Sequence, residues 1–228
     1  MVAKEKKLYM GMGLGIGFIV VLFLIFIPII NNKNCLNYLD DLYNSISKQS
    51  AYYIPKLKKD MHAYPSHPMQ LTVKFKEETL ATQAEDLLAK SQVKVVRSGA
   101  QLTLDGDLKT IFESSLEDAD LLFHNDKHKL QEKYGYESRR VLYNWWLLYK
   151  EMDKDLTAQK KFPESKSLNT ILAKGIECSY NYYGIEPQSI TNKMGIVIFS
   201  LVFYVVYTLW YGFALMFLFE GTGFSISH

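Results

Sequence analysis

Two long apolar runs, Leu8 to Ile30 and Met194 to Phe219, sit near the ends of the chain, and nearly all the charge lies between them. A hydrocarbon core of about 30 Å is crossed by a helix of about 20 apolar residues. Each run meets that length, so the pattern predicts two membrane spans bracketing one water-facing segment. The expected division is a start at 1–7, a first span at 8–30, a domain at 31–193, a second span at 194–219 and a tail at 220–228. The fold class expected is a mainly α membrane protein whose spans bracket an extracytoplasmic α+β domain.

Lys4, Lys6 and Lys7 precede the first run, which resembles the charged start of a secretory signal peptide. The apolar stretch is longer than such a peptide requires, and Asn31, Asn32, Lys33 and Asn34 follow it without a small-x-small cleavage pattern. An uncleaved anchor fits better. Short Lys-rich flanks stay in the cytoplasm, so the expected topology is a two-pass protein of the cytoplasmic (inner) membrane. Both termini would be cytoplasmic and the domain periplasmic or otherwise extracytoplasmic. Lys33 and Lys193 flank the far side and weaken that asymmetry.

Gly11, Gly13, Gly15 and Gly17 alternate in the first run and create two overlapping Gly-x-x-x-Gly spacings. Small residues at that spacing let helices approach closely in lipid. In the second run Tyr204, Tyr207 and Tyr211 share a face by their spacing. Phenols in lipid need hydrogen-bond partners, so these two sets are the candidate helix-packing residues. Glu220 closes the second run, where solvation at the water boundary is expected rather than proton relay.

The chain holds 26 Lys and Arg against 24 Asp and Glu; setting aside Lys4, Lys6, Lys7, Glu5 and Glu220 leaves the middle segment near +1. Such a balance supplies no field for nucleic acid, and none is expected to bind. Cys35 and Cys178 lie at the two ends of that segment. In an oxidising compartment they could form a disulfide, worth about 4 to 5 kcal/mol in a loop-closure model; the alternative is two buried free thiols.

Inside the segment, Leu36, Leu39, Leu42, Tyr43 and Ile46 recur at helical spacing, as do Tyr53, Leu57 and Met61 up to the Pro65 and Pro68 loop. Leu71, Val73 and Phe75 alternate as a strand does, and Leu80, Ala84, Leu87 and Leu88 mark a helix. Val93 to Arg97 and Gln101 to Leu104, joined by Ser98-Gly99, complete a small β-α-β-β unit. Ile111 to Phe123 reads as one helix. Two further stripes, Leu142 to Leu156 and Leu168 to Cys178, predict an antiparallel helical hairpin opened by Pro163 at a helix start.

The candidate sites are few. His124 and His128, with Asp126 between them, have a spacing that serves a metal only if all lie on one helix, and His62 and His67 sit apart in the proline loop. Glu117, Asp118 and Asp120 read as a solvated charged face. Trp145, Trp146 and Tyr149, with Tyr180, Tyr182 and Tyr183, form an aromatic group that suits either a helix core or a protein interface. No phosphate loop, haem-attachment motif or nucleophile elbow occurs, and no catalytic group, metal or cofactor is expected. The expected function is a non-catalytic structural or accessory subunit of a cell-envelope membrane assembly. Its partners would be membrane lipid and other membrane or envelope proteins, including further copies of itself. The alternatives are an extracytoplasmic sensor that signals through a partner, and a regulator of polysaccharide or lipid export.

Overall fold

The computed structural model describes residues 2–91 and 93–223; residues 224–228 of the expected tail lie outside them. The protein is mostly helical, with one small antiparallel sheet and two helices long and apolar enough to cross a membrane. It divides into two compact units, one made of residues 1–49 with 187–228 and the other of residues 50–186. The helix at Cys35–Ser50, read from sequence as part of the domain, therefore groups with the two long helices.

In the first unit, α1 (Val2–Phe26) ends four residues before the apolar run does. Pro28 lacks an N–H and disfavours helix in the residue before it. The chain then reverses through Asn31 and Asn32, both with φ near +50° to +60°, while Ile30 and Lys33 exchange backbone hydrogen bonds of 3.1 and 2.8 Å. Asn suits such left-handed turn positions. The Asn34 side chain then accepts from the Asn37 N–H at 2.8 Å and starts α2 (Cys35–Ser50). At the other end α10 (Ile190–Thr222) spans 33 residues, about 50 Å of helix. It begins before the Met194 expected from hydropathy. Its early part reaches α2, where Tyr43 Oη and Ser200 Oγ lie 2.6 Å apart.

α1 and α10 pack antiparallel. Leu8 meets Gly221, Gly11 meets Leu218, and Phe18 stacks on Tyr207 with ring centres 4.3 Å apart. A Cβ on Gly11 would stand 2.7 Å from the Leu218 backbone nitrogen, and one on Gly221 would stand 2.6 Å from Leu8 Cα. Side chains at those two positions would force the helices apart.

The second unit opens with α3 (Ile54–His62), which has Pro55 in its first turn. Strands β1 (Pro68–Lys74), β2 (Lys94–Ser98) and β3 (Gln101–Asp107) pair antiparallel in the order β1-β3-β2, with Leu71 opposite Leu104 and Val96 opposite Thr103. Gly99, at φ +59°, makes the two-residue turn between β2 and β3. Met69, Leu71, Val73, Leu102 and Leu104 point to one face, onto which α4 (Glu78–Lys90) packs Ala81, Ala84, Leu87 and Leu88. This is the β-α-β-β unit read from the alternation.

Asp107 ends β3 and caps α5 (Leu108–Phe123), accepting from the Lys109 and His67 N–H groups at 2.9 and 3.0 Å and from Ser66 Oγ. After α5 come a short helix, α6 (Lys127–Tyr134), and then α7 (Ser138–Ala158) and α8 (Phe162–Ile171), which form the expected antiparallel hairpin. Its second arm is not one regular helix. A π-helical turn (Leu172–Glu177) and α9 (Cys178–Asn181) complete it. At Gly175 a Cβ would lie 3.0 Å from Leu116 Cδ2, so the absent side chain lets the π-turn sit against α5.

Candidate interaction site

Asp118 is the one fully buried carboxylate among the described residues. It shares the inward face of α5 with Ile111, Ser115 and Leu122. Three donors meet it: Lys133 Nζ at 2.7 Å, Tyr134 Oη at 2.6 Å and Trp145 Nε1 at 2.8 Å. A buried charge persists only when paired and hydrogen-bonded, and this set ties α5, α6 and α7 together. The Tyr134 phenol is held strongly protonated, by burial first and then by the neighbouring Asp118 charge. The solvated-face reading of the 117–120 cluster is therefore wrong at Asp118. Asp120 is also engaged, accepting from Tyr52 Oη at 2.7 Å and Lys58 Nζ at 2.5 Å; burial and that carboxylate both raise the Tyr52 pKa.

Trp145 and Tyr149 are completely buried and have no surface to offer a partner. The indole of Trp145 is used by Asp118. The Tyr149 hydroxyl lies 2.5 Å from Ser115 Oγ, and burial raises its pKa. Of the expected interface aromatics, Trp146, Tyr182 and Tyr183 are half-buried. Tyr182 stacks edge-on against Phe123 at 6.3 Å.

Trp146 belongs to a different environment. The helical period that turns Trp145 inward places Trp146 at the rim of a groove of about 320 Å³ between α7 and the π-turn and α9 segment. Leu142 and Ile176 form its buried floor, with Tyr143, Trp146 and Tyr180 around it. Trp146 donates its indole N–H to Glu177 Oε1 at 2.8 Å, which fixes the ring. Tyr143 and Trp146 stack with centres 6.0 Å apart and planes at 16°. Lys150 stands over Trp146 at 5.6 Å, Arg140 over Tyr143 at 5.1 Å and Arg139 over Tyr180 at 4.4 Å. A second cavity of about 250 Å³, lined by Glu137, Arg139, Arg140, Tyr143 and Tyr180, continues from it. The surface is thus an aromatic strip with cations stacked along it, suited to an extended chain or another protein surface through flat apolar contact and arginine donors. Tyr180 belonged to the aromatic group read from the sequence, whereas Tyr143, Arg139 and Arg140 did not. For Arg140 and Tyr143 the signal was the i, i+3, i+6, i+10 run that they make with Trp146 and Lys150 on the outer side of α7.

The remaining candidates separate. α5 ends at Phe123 and α6 begins at Lys127, so His124 and His128 do not share a helix; the His124 ring instead meets Asp120, with Nδ1 3.2 Å from Oδ1. His62 faces Glu113 at 3.9 Å, and His67 packs edge-on against Tyr64. No group of three or more metal-ligating side chains is assembled among the described residues. Cys35 and Cys178 fall in different units and are not joined in a disulfide; Cys178 Sγ donates to the Ala51 carbonyl at 3.3 Å.

In the first unit, Gly11 and Gly17 serve the chain's own second long helix: a Cβ on Gly17 would lie 2.9 Å from the Trp210 ring. Gly13 and Gly15 meet nothing within 4 Å. Tyr207 donates to the Phe18 carbonyl at 2.9 Å, and Trp210 donates to the Leu14 carbonyl at 3.0 Å. Tyr211 touches Phe18 at 5.2 Å, whereas Tyr204 is 68% exposed and turned away. Glu220 pairs with Lys7 at 2.8 Å rather than standing alone. Comparison of the chain with family models, with curated proteins and with solved structures finds no match.

Proposed function

We propose that the chain is a non-catalytic accessory subunit of a cell-envelope membrane assembly, anchored by the α1–α10 pair and recruiting a protein partner through the aromatic and cationic groove on α7. The observation that carries this reading is the groove itself. Tyr143 and Trp146 are stacked, Glu177 fixes the Trp146 ring, and Arg140, Lys150 and Arg139 stand over Tyr143, Trp146 and Tyr180. An exposed aromatic strip costs little conformational entropy to dock, and Trp, Tyr and Arg are the residues that dominate binding energy at interfaces.

The anchor reading rests on two helices whose outer surfaces expose Ile16, Phe23, Phe199 and Phe203, among other large apolar side chains, a surface that water does not tolerate at this extent. The polar groups along their seam, by contrast, are satisfied within the pair. On this reading Lys4, Lys6, Lys7 and Glu220 mark the cytoplasmic end, and residues 50–186 face the opposite compartment.

The test is gentle-detergent purification of the tagged chain from native membranes, followed by native mass spectrometry, with Trp146→Ala and Arg139→Glu variants beside the parent. The proposal expects a stoichiometric partner that either substitution removes while the fold is kept. A partnerless parent would overturn it.

A further inference from the structure

The geometry points to self-association of this protein through the outer edge of β2, which pairs antiparallel with the same strand of a second copy to continue the sheet. The two edges of the sheet are finished differently. The outward-facing backbone of β1 is occupied by the chain's own α7: Asp155 accepts from the Thr72 N–H at 2.9 Å and Gln159 donates to the Gln70 carbonyl at 3.0 Å. Those bonds also fix the parity of the sheet. Since Gln70 and Thr72 turn their backbone outward on β1, the register makes Val95 and Arg97 the outward residues of β2. Among the described residues, no hydrogen bond reaches the outward backbone groups of Val95 or Arg97. An open edge of this kind is a template for another strand.

The occupant is a second copy because β2 complements itself. A two-fold pairing centred on Val96 sets Val95 opposite Arg97 of the other copy and Arg97 opposite its Val95. Both are outward-facing pairs, so four backbone hydrogen bonds form. Val96 then meets its own equivalent as the close, non-hydrogen-bonded pair, with Cα atoms about 4.5 Å apart. Val96 is 70% exposed, the most exposed large apolar side chain among the described residues of this unit, and this register would cover it. No like charges are opposed. Lys94 falls opposite Ser98 of the other copy, and each Arg97 is already held by its own Glu85 at 2.7 Å. Four backbone bonds make a weak contact in solution. Anchoring both copies in one bilayer raises their effective concentration, and in that respect the inference rests on the proposed membrane reading.

The test is oxidative cross-linking of the full chain in native membranes, using Val96→Cys and, as a geometric control, Lys94→Cys, each with Cys35→Ser and Cys178→Ser. In the two-fold register the two thiols introduced at position 96 lie within disulfide reach, whereas the two introduced at position 94 lie at opposite ends of the strand pair. The expected result is a covalent dimer forming about tenfold faster at position 96 than at position 94. Equal rates at the two positions, or a cross-link from position 96 to a different protein, would overturn the proposal. A photo-crosslinking residue at position 96 in the chain with its native cysteines repeats the measurement should the serine background fail to fold. Val96→Lys in that chain is expected to abolish the photo-dimer seen with the probe at position 98. Membrane fractionation of the same samples reads the anchor separately, so a soluble chain that still dimerises at position 96 would refute the anchor and not the edge.

Discussion

The two units of this protein solve the same problem, keeping helices together, by opposite means. Residues 50–186 bury a continuous apolar core and admit one charge, Asp118, only because Lys133, Tyr134 and Trp145 surround it. The α1–α10 pair buries almost no apolar side chain and faces outward with many. It is joined by glycine approaches at Gly11 and Gly221 and by side chains that donate to the neighbouring helix's backbone carbonyls. In water, removal of apolar surface drives packing. In lipid that force is absent, so close van der Waals contact and hydrogen bonds carry association. The difference in construction is the one that the proposed anchor calls for.

The second unit is most vulnerable at Asp118. Asp118→Ala leaves Lys133 and the Trp145 indole without their acceptor, and removing one partner of a buried ion pair costs about 3 to 5 kcal/mol. Chemical denaturation of the 50–186 unit within the full chain should show that loss, while cross-linking between α1 and α10 should be unchanged. A loss below about 1 kcal/mol would mean that the set is incidental.

The opposite experiment is Gly11→Leu. Its side chain would strike the Leu218 backbone, and overpacking of this kind costs about 1 to 3 kcal/mol. Distances between spin labels on α1 and α10 should lengthen, with the denaturation of the second unit unaffected. Gly13→Leu, which meets open space, should leave those distances as they were.

A smaller effect is expected at the β3–α5 junction. Loss of the Asp107 cap through Asp107→Ala should cost about 0.5 to 2 kcal/mol near neutral pH. Burial alone would raise the Asp107 pKa, but hydrogen bonds from Ser66, Lys109 and His67 outweigh it and hold the carboxyl below its ordinary value. The sign follows: the cap's contribution is complete above the unfolded value of about 3.9 and is lost as pH falls through the lower folded value. Parent and variant should therefore converge in stability on acidification, as a pH series of melting curves would show.

The smallest effect is Tyr207→Phe, which removes one hydrogen bond between the two long helices; such bonds average about 0.6 kcal/mol in membranes. Loosening of the helix pair should be slight, and a large loss would mean that the seam is held by hydrogen bonding more than by close packing.

What could be read from the residues alone was the local periodicity. Alternation at Leu71, Val73 and Phe75 located β1, and Ser98-Gly99 located the hairpin turn. Pro163 marked the start of α8. Where two signals competed, the reading failed. Hydropathy carried the first span to Ile30, but Pro28 ends α1 at Phe26. Asp118 looked solvated because its neighbours are charged, although its phase with Ile111, Ser115 and Leu122 placed it inside. Adjacent Trp145 and Trp146 looked alike, yet a 100° step around α7 separates core from groove. The partners of Tyr207 and Trp210 are backbone carbonyls of a helix nearly 200 positions away, and no local pattern encodes them. Gly175 gave no hint of a π-turn, which depends on the approach of α5.

Whether a membrane separates the start of α1 from the second unit can be read by labelling with a membrane-impermeant maleimide in intact and permeabilised cells. Single cysteines would be introduced as Lys6→Cys, near the start of α1, and as Ser165→Cys, on α8, in a chain whose two native cysteines are replaced by serine. An anchored hairpin with an external second unit predicts that the thiol at position 165 reacts in intact cells and the thiol at position 6 only after permeabilisation. Equal labelling of both positions in intact cells, or of neither until the membrane is opened, would contradict a membrane lying between them.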